Sequence, residues 1–235
     1  MAAPMKKTVE LFYDVVSPYS WIAFEVLTRY KSVWGNMDLK LRPFFLGGVM
    51  NESCVMNESS NRPPAMVPAK GAYMMKYDIP RLGTYYQVPI KIPKNPSEVM
   101  FEKGSLTAMR FITAVDIDHP ECTENLSREL WMRAWCRDEG IFNQNDFLEA
   151  AKKVGISEEI AKNALARIKD DDVKNRLKKN TTEALNYGTF GAPTIIAHVN
   201  NKPELVFGSD RFPILAMLLD EEWKGPQAEL SKCKL

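Results

Sequence analysis

A short apolar strand that runs directly into a proline-containing turn and then a helix is the most constraining feature of this sequence. The strand occupies residues 9–16, residues 17–20 read Ser-Pro-Tyr-Ser, and the helix is predicted to begin at Trp21. Serine before proline is also a common start for an ordinary helix, with Ser17 as the N-cap and Pro18 in the first turn. The segment alone therefore leaves open whether it forms a functional turn or only a helix cap.

A second group of signals lies near the other end of the chain. Pro193 precedes an apolar run at residues 194–199, a position where proline is tolerated because it gives up a ladder donor only at the start of the strand. A turn pair separates this run from a second short strand at residues 204–207, and residues 208–211 open a last helix predicted to run through Trp223. The two ends together predict the two halves of a thioredoxin-type fold, in which such a proline is cis and faces the active-site turn.

The turn carries hydroxyl groups where a redox-active turn of this kind carries thiols. Ser17 and Ser20 occupy the two positions of a cysteine pair. Serine can neither form a disulfide nor be oxidised as a thiol is, which argues against a disulfide oxidoreductase. A hydroxyl at a helix N-terminus can instead donate a hydrogen bond to the thiolate of another molecule.

The long middle of the chain is predicted to be mostly helical. Apolar residues recur three and four positions apart, as in amphipathic helices, in residues 105–114, 121–139, 146–154, 157–168 and 172–187. The fold class that follows is α/β, a thioredoxin-like core interrupted by a mostly helical insertion. We expect residues 1–48 and 189–235 to form the core and residues 49–188 to form the insertion.

Local signals set the expected ends of these helices. Asn145 and Ser157 are suitable N-cap residues. The residues that can terminate helices are Gly140, Gly155 and Gly188. Residues 61–71 are dense in turn-forming residues and are expected to form an irregular loop.

Composition excludes several classes of function. The net charge is +1, from 31 basic and 30 acidic residues among 235, so no global attraction to nucleic acid is expected. No apolar run approaches the roughly 18 residues of a membrane span, and the first residues lack a hydrophobic signal core, so the chain is not expected to span a membrane or to be secreted. The four cysteines and two histidines show no disulfide or metal-ligand spacing, so no metal site is expected.

Short blocks of sequence form a further pattern along nearly the whole chain. They are Tyr-Asp-Val-Val-Ser-Pro-Tyr-Ser-Trp at 13–21, Asn-Arg-Pro-Pro at 61–64, Lys-Gly at 70–71, Glu-Lys-Gly-Ser-Leu at 102–106, Arg-Glu-Leu-Trp-Met-Arg at 128–133, Tyr-Gly-x-Phe-Gly-x-Pro at 187–193 and Phe-Gly-Ser-Asp-Arg at 207–211. In this order they resemble the kappa-class glutathione transferases. The resemblance implies a homodimeric detoxification enzyme that uses glutathione as a substrate and holds no tightly bound cofactor.

The resemblance also implies the roles of individual residues. Ser17 is then the catalytic residue, its hydroxyl beside the glutathione sulfur. The glutathione-binding residues implied with it are Pro18, Tyr19, Asn61, Lys70, Ala192, Pro193, Ser209, Asp210 and Arg211. Asn61 and Lys70 would lie near the glycine end, and the backbone at Ala192 would pair with the cysteinyl part. Ser209 and Asp210 would bind the γ-glutamyl amine and carboxylate, with Arg211 assisting.

Some of these residues depart from the family pattern or have a purely structural alternative. The family commonly has leucine where Ala192 stands, residues 47–60 look longer than usual, and Asp78 is only a candidate for a contact across the dimer. Ser209 is also a good N-cap residue, and Asp210 suits the first turn of a helix. Asn61 and Lys70 could be solvated loop residues.

Three functions are compatible with this pattern. The resemblance implies a glutathione transferase that conjugates small hydrophobic electrophiles such as aryl halides and reduces organic hydroperoxides. A glutathione-dependent isomerase of the 2-hydroxychromene-2-carboxylate type would share the fold and the serine but recycle its glutathione. A noncatalytic thioredoxin-fold protein would instead bind extended peptides beside the cis-proline.

The last three residues resemble a targeting signal. Residues 233–235 read Cys-Lys-Leu, which resembles the C-terminal peroxisomal tripeptide of the Ser-Lys-Leu type. The kappa class also includes mitochondrial members. We therefore expect a peroxisomal location, a mitochondrial one, or both.

Overall fold

Among the residues that the structure describes, four strands form one sheet in the order β2-β1-β3-β4. A computed structural model describes residues 6–53 and 67–228. The strands are β1 Lys7–Tyr13, β2 Met37–Pro43, β3 Thr194–Val199 and β4 Lys202–Phe207. β1 and β2 run parallel, and β3 is antiparallel to both β1 and β4. This mixed sheet confirms the predicted α/β class with a thioredoxin-like core.

Helix α1, Pro18–Tyr30, connects β1 to β2, because neighbouring parallel strands require a crossover connection. β1 ends at Tyr13 and not at residue 16, since the backbone amides of Val16 and Ser17 turn back to the preceding aspartate, Asp14. The helix consequently begins earlier than predicted, with Ser17 as its N-cap.

Between β2 and β3 the described residues are mostly helical, as predicted. The α-helices are α2 Leu46–Glu52, α3 Pro68–Tyr73, α4 Ile79–Tyr86, α5 Leu106–Asp118, α6 Thr123–Met132, α7 Gln144–Lys153, α8 Glu158–Arg167 and α9 Asp171–Asn186. Wider π-helical turns lie at Met74–Asp78, Glu98–Glu102 and Arg133–Arg137, and a 3₁₀ turn lies at Pro120–Cys122. After the β3–β4 hairpin comes α10 Phe212–Leu219. The division into domains at residues 48 and 188 stays a prediction.

The five predicted helices of the middle region are present, with differences at their ends. The N-cap of α7 is Asn143, which forms a capping box with Asp146, so the choice of Asn145 was wrong. The predicted helix at 121–139 passes through three kinds of helical turn and ends where Asp138 takes a φ of 57°, so Gly140 does not terminate it. The predicted roles of three other residues are confirmed: Ser157 caps α8, and Gly155 and Gly188 follow α7 and α9 with positive φ.

Two further boundaries differ from the sequence prediction. Residues 68–71 belong to α3 and not to an irregular loop, because Pro68 occupies the first helical position, where proline is favoured. Residues 61–66 lie outside the described part of the chain. The last helix stops at Leu219, before Asp220 with a φ of 57°, and does not reach Trp223.

A buried aromatic cluster joins the helical region to the sheet next to the turn. Trp131 of α6 packs against Tyr13, Trp21 and Phe24, with ring centroids 5.3, 6.5 and 4.9 Å away. All four rings are fully buried. Burial of this aromatic surface stabilises the packing of α6 against the start of α1. In the described ranges no helix is long and apolar enough to cross a membrane.

Candidate active site

Strand register brings four separate segments of the chain to one end of the sheet. Phe12, near the end of β1, lies opposite Thr194, the first residue of β3. Thr194 in turn lies opposite Phe207, the last residue of β4, and Tyr13 lies opposite Pro43 at the end of β2. The turn before α1, the start of α2, the proline before β3 and residues 208–211 therefore emerge at this same end.

Ser17 lies at the N-terminus of α1 with its backbone in the extended region, at φ −93° and ψ 115°. Its Oγ accepts a hydrogen bond from the backbone amide of Ser20 at 3.1 Å, and only 5% of the residue is exposed. Because the oxygen serves as the acceptor in this contact, the hydroxyl proton stays available for donation to a ligand. Capping the helix and binding a thiolate are thus compatible functions of one hydroxyl.

The carbonyl of Ser17 is held from the helical region. The indole Nε1 of Trp131 donates to this oxygen at 3.1 Å, in addition to the helical bond from the amide of Trp21 at 3.3 Å. The second serine of the turn, Ser20, is fully buried, and its Oγ has no hydrogen-bond partner among the described residues. The backbone of the turn is therefore fixed from both sides, whereas the Ser20 hydroxyl is not.

The peptide bond between Ala192 and Pro193 is cis, as the sequence predicted. The carbonyl of Pro193 accepts a hydrogen bond from the amide of Gly208 at 3.1 Å, which joins the proline to the loop after β4. The hydroxyl of Thr194 donates to the carbonyl of Gly191 at 2.9 Å and secures the approach to the proline.

Residues 209–211 form the third side of this end of the sheet. Ser209 is buried, with 4% exposed, whereas Asp210 and Arg211 are exposed and form an ion pair with each other. Arg211, and not Ser209, occupies the N-cap position of α10, so the structural alternative for Ser209 was wrong. Its place near the cis-proline stays consistent with ligand binding, and that role stays a prediction.

Tyr19 connects the turn to the helical region. Its hydroxyl donates to Asp78 Oδ2 at 2.7 Å, and burial, with this carboxylate, raises the pKa of the phenol. Asp78, considered from sequence as a contact across a dimer, thus has a partner within its own chain. Lys70 is exposed on α3, in the same helical run, and Asn61 lies outside the described residues.

Asp14 is a buried acidic residue for which the sequence alone indicated no function. It is fully buried directly before the turn, and its carboxylate accepts from the amides of Val16 and Leu46 and from the Ser105 hydroxyl. The sequence did show a charged residue at the end of an apolar strand, which is an unusual position. It could not show the hydrogen-bond partners of Asp14, because Ser105 is distant in sequence.

An apolar surface lies beside the cis-proline. The tilted rings of Phe190 and Phe207 pack against each other with centroids 4.2 Å apart, and the two residues are 45% and 36% exposed. Gly191 lies against the Phe207 ring, which an added Cβ would approach to 3.2 Å. Within residues 6–53 and 67–228, no group of three or more histidine, cysteine, aspartate or glutamate side chains is placed to hold a metal ion.

The comparisons with known proteins agree first on the fold. Residues 8–220 match the protein family described as DSBA-like thioredoxin domain. A solved structure of 2-hydroxychromene-2-carboxylate isomerase (HCCA isomerase) is similar with a TM-score of 0.70 and 17% identity, covering 91% of this chain and 94% of that one. The fold and the turn thus define a DsbA-like thioredoxin-fold protein whose turn carries serines.

Relatives of higher sequence identity show which class of thioredoxin-fold protein this chain belongs to. The chain is 49% identical to human "Glutathione S-transferase kappa 1" over 223 residues, which cover 95% of each protein, and 48% identical to the protein of that name from Rattus norvegicus, with the same coverage. The chain belongs to the kappa class of glutathione transferases. The resemblance found in the sequence is thereby confirmed.

Proposed function

We propose that this protein activates the thiolate of glutathione for conjugation to small electrophiles and for reduction of organic hydroperoxides. The observation that carries the proposal is the convergence, at one end of the sheet, of the Ser17 hydroxyl, the backbone beside the cis-proline and the loop of Ser209. A helix N-terminus favours a thiolate, and an extended backbone next to Pro193 suits pairing with a short peptide.

The activation can be accounted for without a basic side chain. A free thiol has a pKa of about 8.5, and lowering it by two units requires about 2.7 kcal/mol of preferential stabilisation of the thiolate. A partly buried helix terminus supplies roughly 0.5–2 kcal/mol, and one hydrogen bond to a charged sulfur roughly 1.5–3 kcal/mol. The α1 terminus and the Ser17 hydroxyl are together sufficient.

Recognition of glutathione needs groups complementary to one amine and two carboxylates. We assign the amine and carboxylate of the γ-glutamyl end to Asp210, Ser209 and Arg211, and the glycine carboxylate to Lys70 with Asn61. The ion pair between Asp210 and Arg211 supports this assignment, because a ligand with both charges can contact each member of the pair.

The electrophile is assigned to the apolar surface of Phe190 and Phe207. In conjugation, the sulfur forms a bond to an activated ring carbon and the halide leaves with its bonding electrons. In peroxide reduction, the sulfur attacks the peroxide oxygen and an alcohol leaves, and a second glutathione then converts the oxidised sulfur into a disulfide and water. In both cases the protein contributes position and charge stabilisation.

Calorimetric titration with glutathione, followed by conjugation and peroxide assays, tests this function. Binding, an ultraviolet thiolate band at neutral pH, and consumption of glutathione with an aryl halide are expected. Binding without consumption, but with isomerisation of a hydroxychromene carboxylate, would instead support the isomerase. Binding of extended peptides without any requirement for a thiol would support a peptide-binding protein.

We also propose a homodimer. The continuous helical segment from α3 through α4, which includes Asp78, exposes Tyr73, Tyr77 and Tyr85. Aromatic residues are enriched at protein interfaces. Sedimentation should give the mass of two chains for the wild type. Tyr77→Glu should shift it toward one chain if this surface forms the contact.

For location we propose the peroxisome, directed by residues 233–235, with the mitochondrion as the alternative. A fluorescent protein that carries only the last dozen residues should become punctate and coincide with a peroxisomal marker. Diffuse fluorescence would contradict the peroxisomal address.

A further inference from the structure

The carboxylate of Asp14 ties three segments of the chain together. Its Oδ1 accepts from the Val16 amide at 3.0 Å. Its Oδ2 accepts from the Leu46 amide at 2.9 Å and from the Ser105 hydroxyl at 2.8 Å. These donors belong to the turn before α1, to the first residue of α2 and to the residue before α5.

The same aspartate also holds the turn through its backbone. Its carbonyl accepts from the Ser17 amide at 3.0 Å. The amides of Val16 and Ser17 are therefore both directed at Asp14, one at the side chain and one at the main chain. The second of these amides belongs to the residue whose hydroxyl faces the ligand in the proposed function.

Stability alone does not account for a carboxylate at this place. Asp14 is fully buried, and its partners are two backbone amides and a hydroxyl, all neutral. Burial raises the pKa of Asp14 to about 6, in spite of these hydrogen bonds. The ionised group at neutral pH thus costs folding free energy relative to an ordinary carboxyl group. Ionisable groups whose pKa values are shifted by burial cluster at functional sites.

We propose that Asp14 is a positioning residue for the Ser17 hydroxyl, because its carboxylate fixes the backbone of the turn against the first residue of α2 and the residue before α5. The inference rests on the proposed thiolate activation. Asp14 does not itself touch substrate, since none of it is exposed. Loss of its contacts should therefore change the activation of the thiol and not the binding of glutathione.

Asp14→Asn is the direct test, because the amide keeps the shape of the side chain but has one acceptor oxygen instead of two. Either the Val16 or the Leu46 amide then loses its acceptor. We expect a kcat lower by about tenfold, a pKa of the bound thiol higher by about one unit, and a glutathione Kd within about threefold of the wild type.

Asp116→Asn is the matched control. Asp116 is another carboxylate whose pKa is raised by burial, and its partners are Thr123 and Arg176, neither of which belongs to the turn. This variant should keep the wild-type kcat and thiol pKa. Ser105→Ala is a milder second variant, because it removes one donor to Asp14 and leaves the carboxylate in place. It should lower kcat by about two- to fivefold and raise the pKa of the bound thiol, as Asp14→Asn does.

A readout without catalysis separates this inference from the proposed function. In the free protein, the amide resonances of Val16 and Leu46 should follow one common titration in the wild type and none in Asp14→Asn. If the wild type fails to bind glutathione, the proposed function fails, and this titration alone decides whether Asp14 holds the turn. Amide signals that do not titrate, or a wild-type kcat and thiol pKa in both Asp14→Asn and Ser105→Ala, would overturn the inference.

Discussion

Asp14→Asn should also change how the free energy of unfolding depends on pH. Desolvation raises the pKa of Asp14 from 3.8 to about 6, whereas its hydrogen bonds to Val16, Leu46 and Ser105 act in the opposite direction and are outweighed. In the unfolded chain the carboxyl group keeps its ordinary pKa. The folded state therefore binds this proton more tightly, and the stabilising contribution is complete below about pH 4 and is lost as the pH rises through about 6.

The size of this effect follows from the pKa difference. A shift of about two units corresponds to about 3 kcal/mol, at about 1.4 kcal/mol per unit. The side chain of Asp14 is fully buried, so screening by solvent does not reduce the figure. The difference in the free energy of unfolding, wild type minus Asp14→Asn, should fall by about 3 kcal/mol between about pH 4 and pH 7 and stay constant above that.

Urea unfolding at a series of pH values, followed by tryptophan fluorescence, measures this difference. The protein has five tryptophans, and those that are fully buried and report on unfolding are Trp21, Trp34, Trp131 and Trp135. Asp116→Asn serves for comparison and should give a decline in the same direction, because burial also raises the pKa of Asp116, against the opposing effects of the Thr123 hydrogen bond and then of Arg176. A difference that rises with pH would refute the reasoning, since it would mean that the three hydrogen bonds outweigh desolvation.

Three further predictions concern the proposed site. Ser17→Ala should raise the pKa of the bound glutathione thiol and lower the rate at neutral pH by roughly one to two decades, which is the effect of losing one hydrogen bond to a charged group. An ultraviolet titration of the bound thiolate measures this pKa, and an unchanged value would show that Ser17 does not stabilise the thiolate. Asp210→Asn should raise the glutathione KM more than it lowers kcat, and equal affinity in steady-state kinetics would exclude Asp210 from the site. Trp131→Phe should lower kcat several-fold, because it keeps an aromatic ring but removes the donor to the Ser17 carbonyl. Trp34→Phe is the control: it loses a similar hydrogen bond, to the Glu222 carbonyl at 2.9 Å, and should leave kcat near the wild-type value.

The parts of the fold that could be predicted are those fixed by local chemistry. Asn200 and Asn201 both take positive φ, 51° and 62°, as the hairpin turn between two short strands requires. Likewise, Pro193 marks the start of β3, and Ser17 followed by Pro18 marks the start of α1. These features depend on neighbouring residues, so the sequence was sufficient to place them.

The features that could not be predicted depend on residues that are distant in sequence. No periodic pattern in the sequence marked the π-helical turns at Met74–Asp78 and Arg133–Arg137. Ser209 has the side chain of an N-cap, yet α10 begins later, because Pro213 suits only the first turn of a helix. The contact between Asp14 and Ser105 spans 91 positions, so neither residue alone indicated it.

Three contacts hold the turn from the helical region that interrupts this core. Trp131 holds the Ser17 carbonyl, Asp78 accepts from the tyrosine of the turn, and Ser105 donates to the aspartate before it. All three residues lie between β2 and β3, in a helical turn or helix or, for Ser105, directly before α5, and none lies in the sheet. A hydroxyl, unlike a cysteine thiol, forms no covalent bond to a bound sulfur, so its contribution depends on distance and direction. The geometry of the Ser17 hydroxyl is therefore set by how the helical region packs, and substitutions that shift α6 or the start of α5 should impair thiolate activation even when the sheet is unchanged.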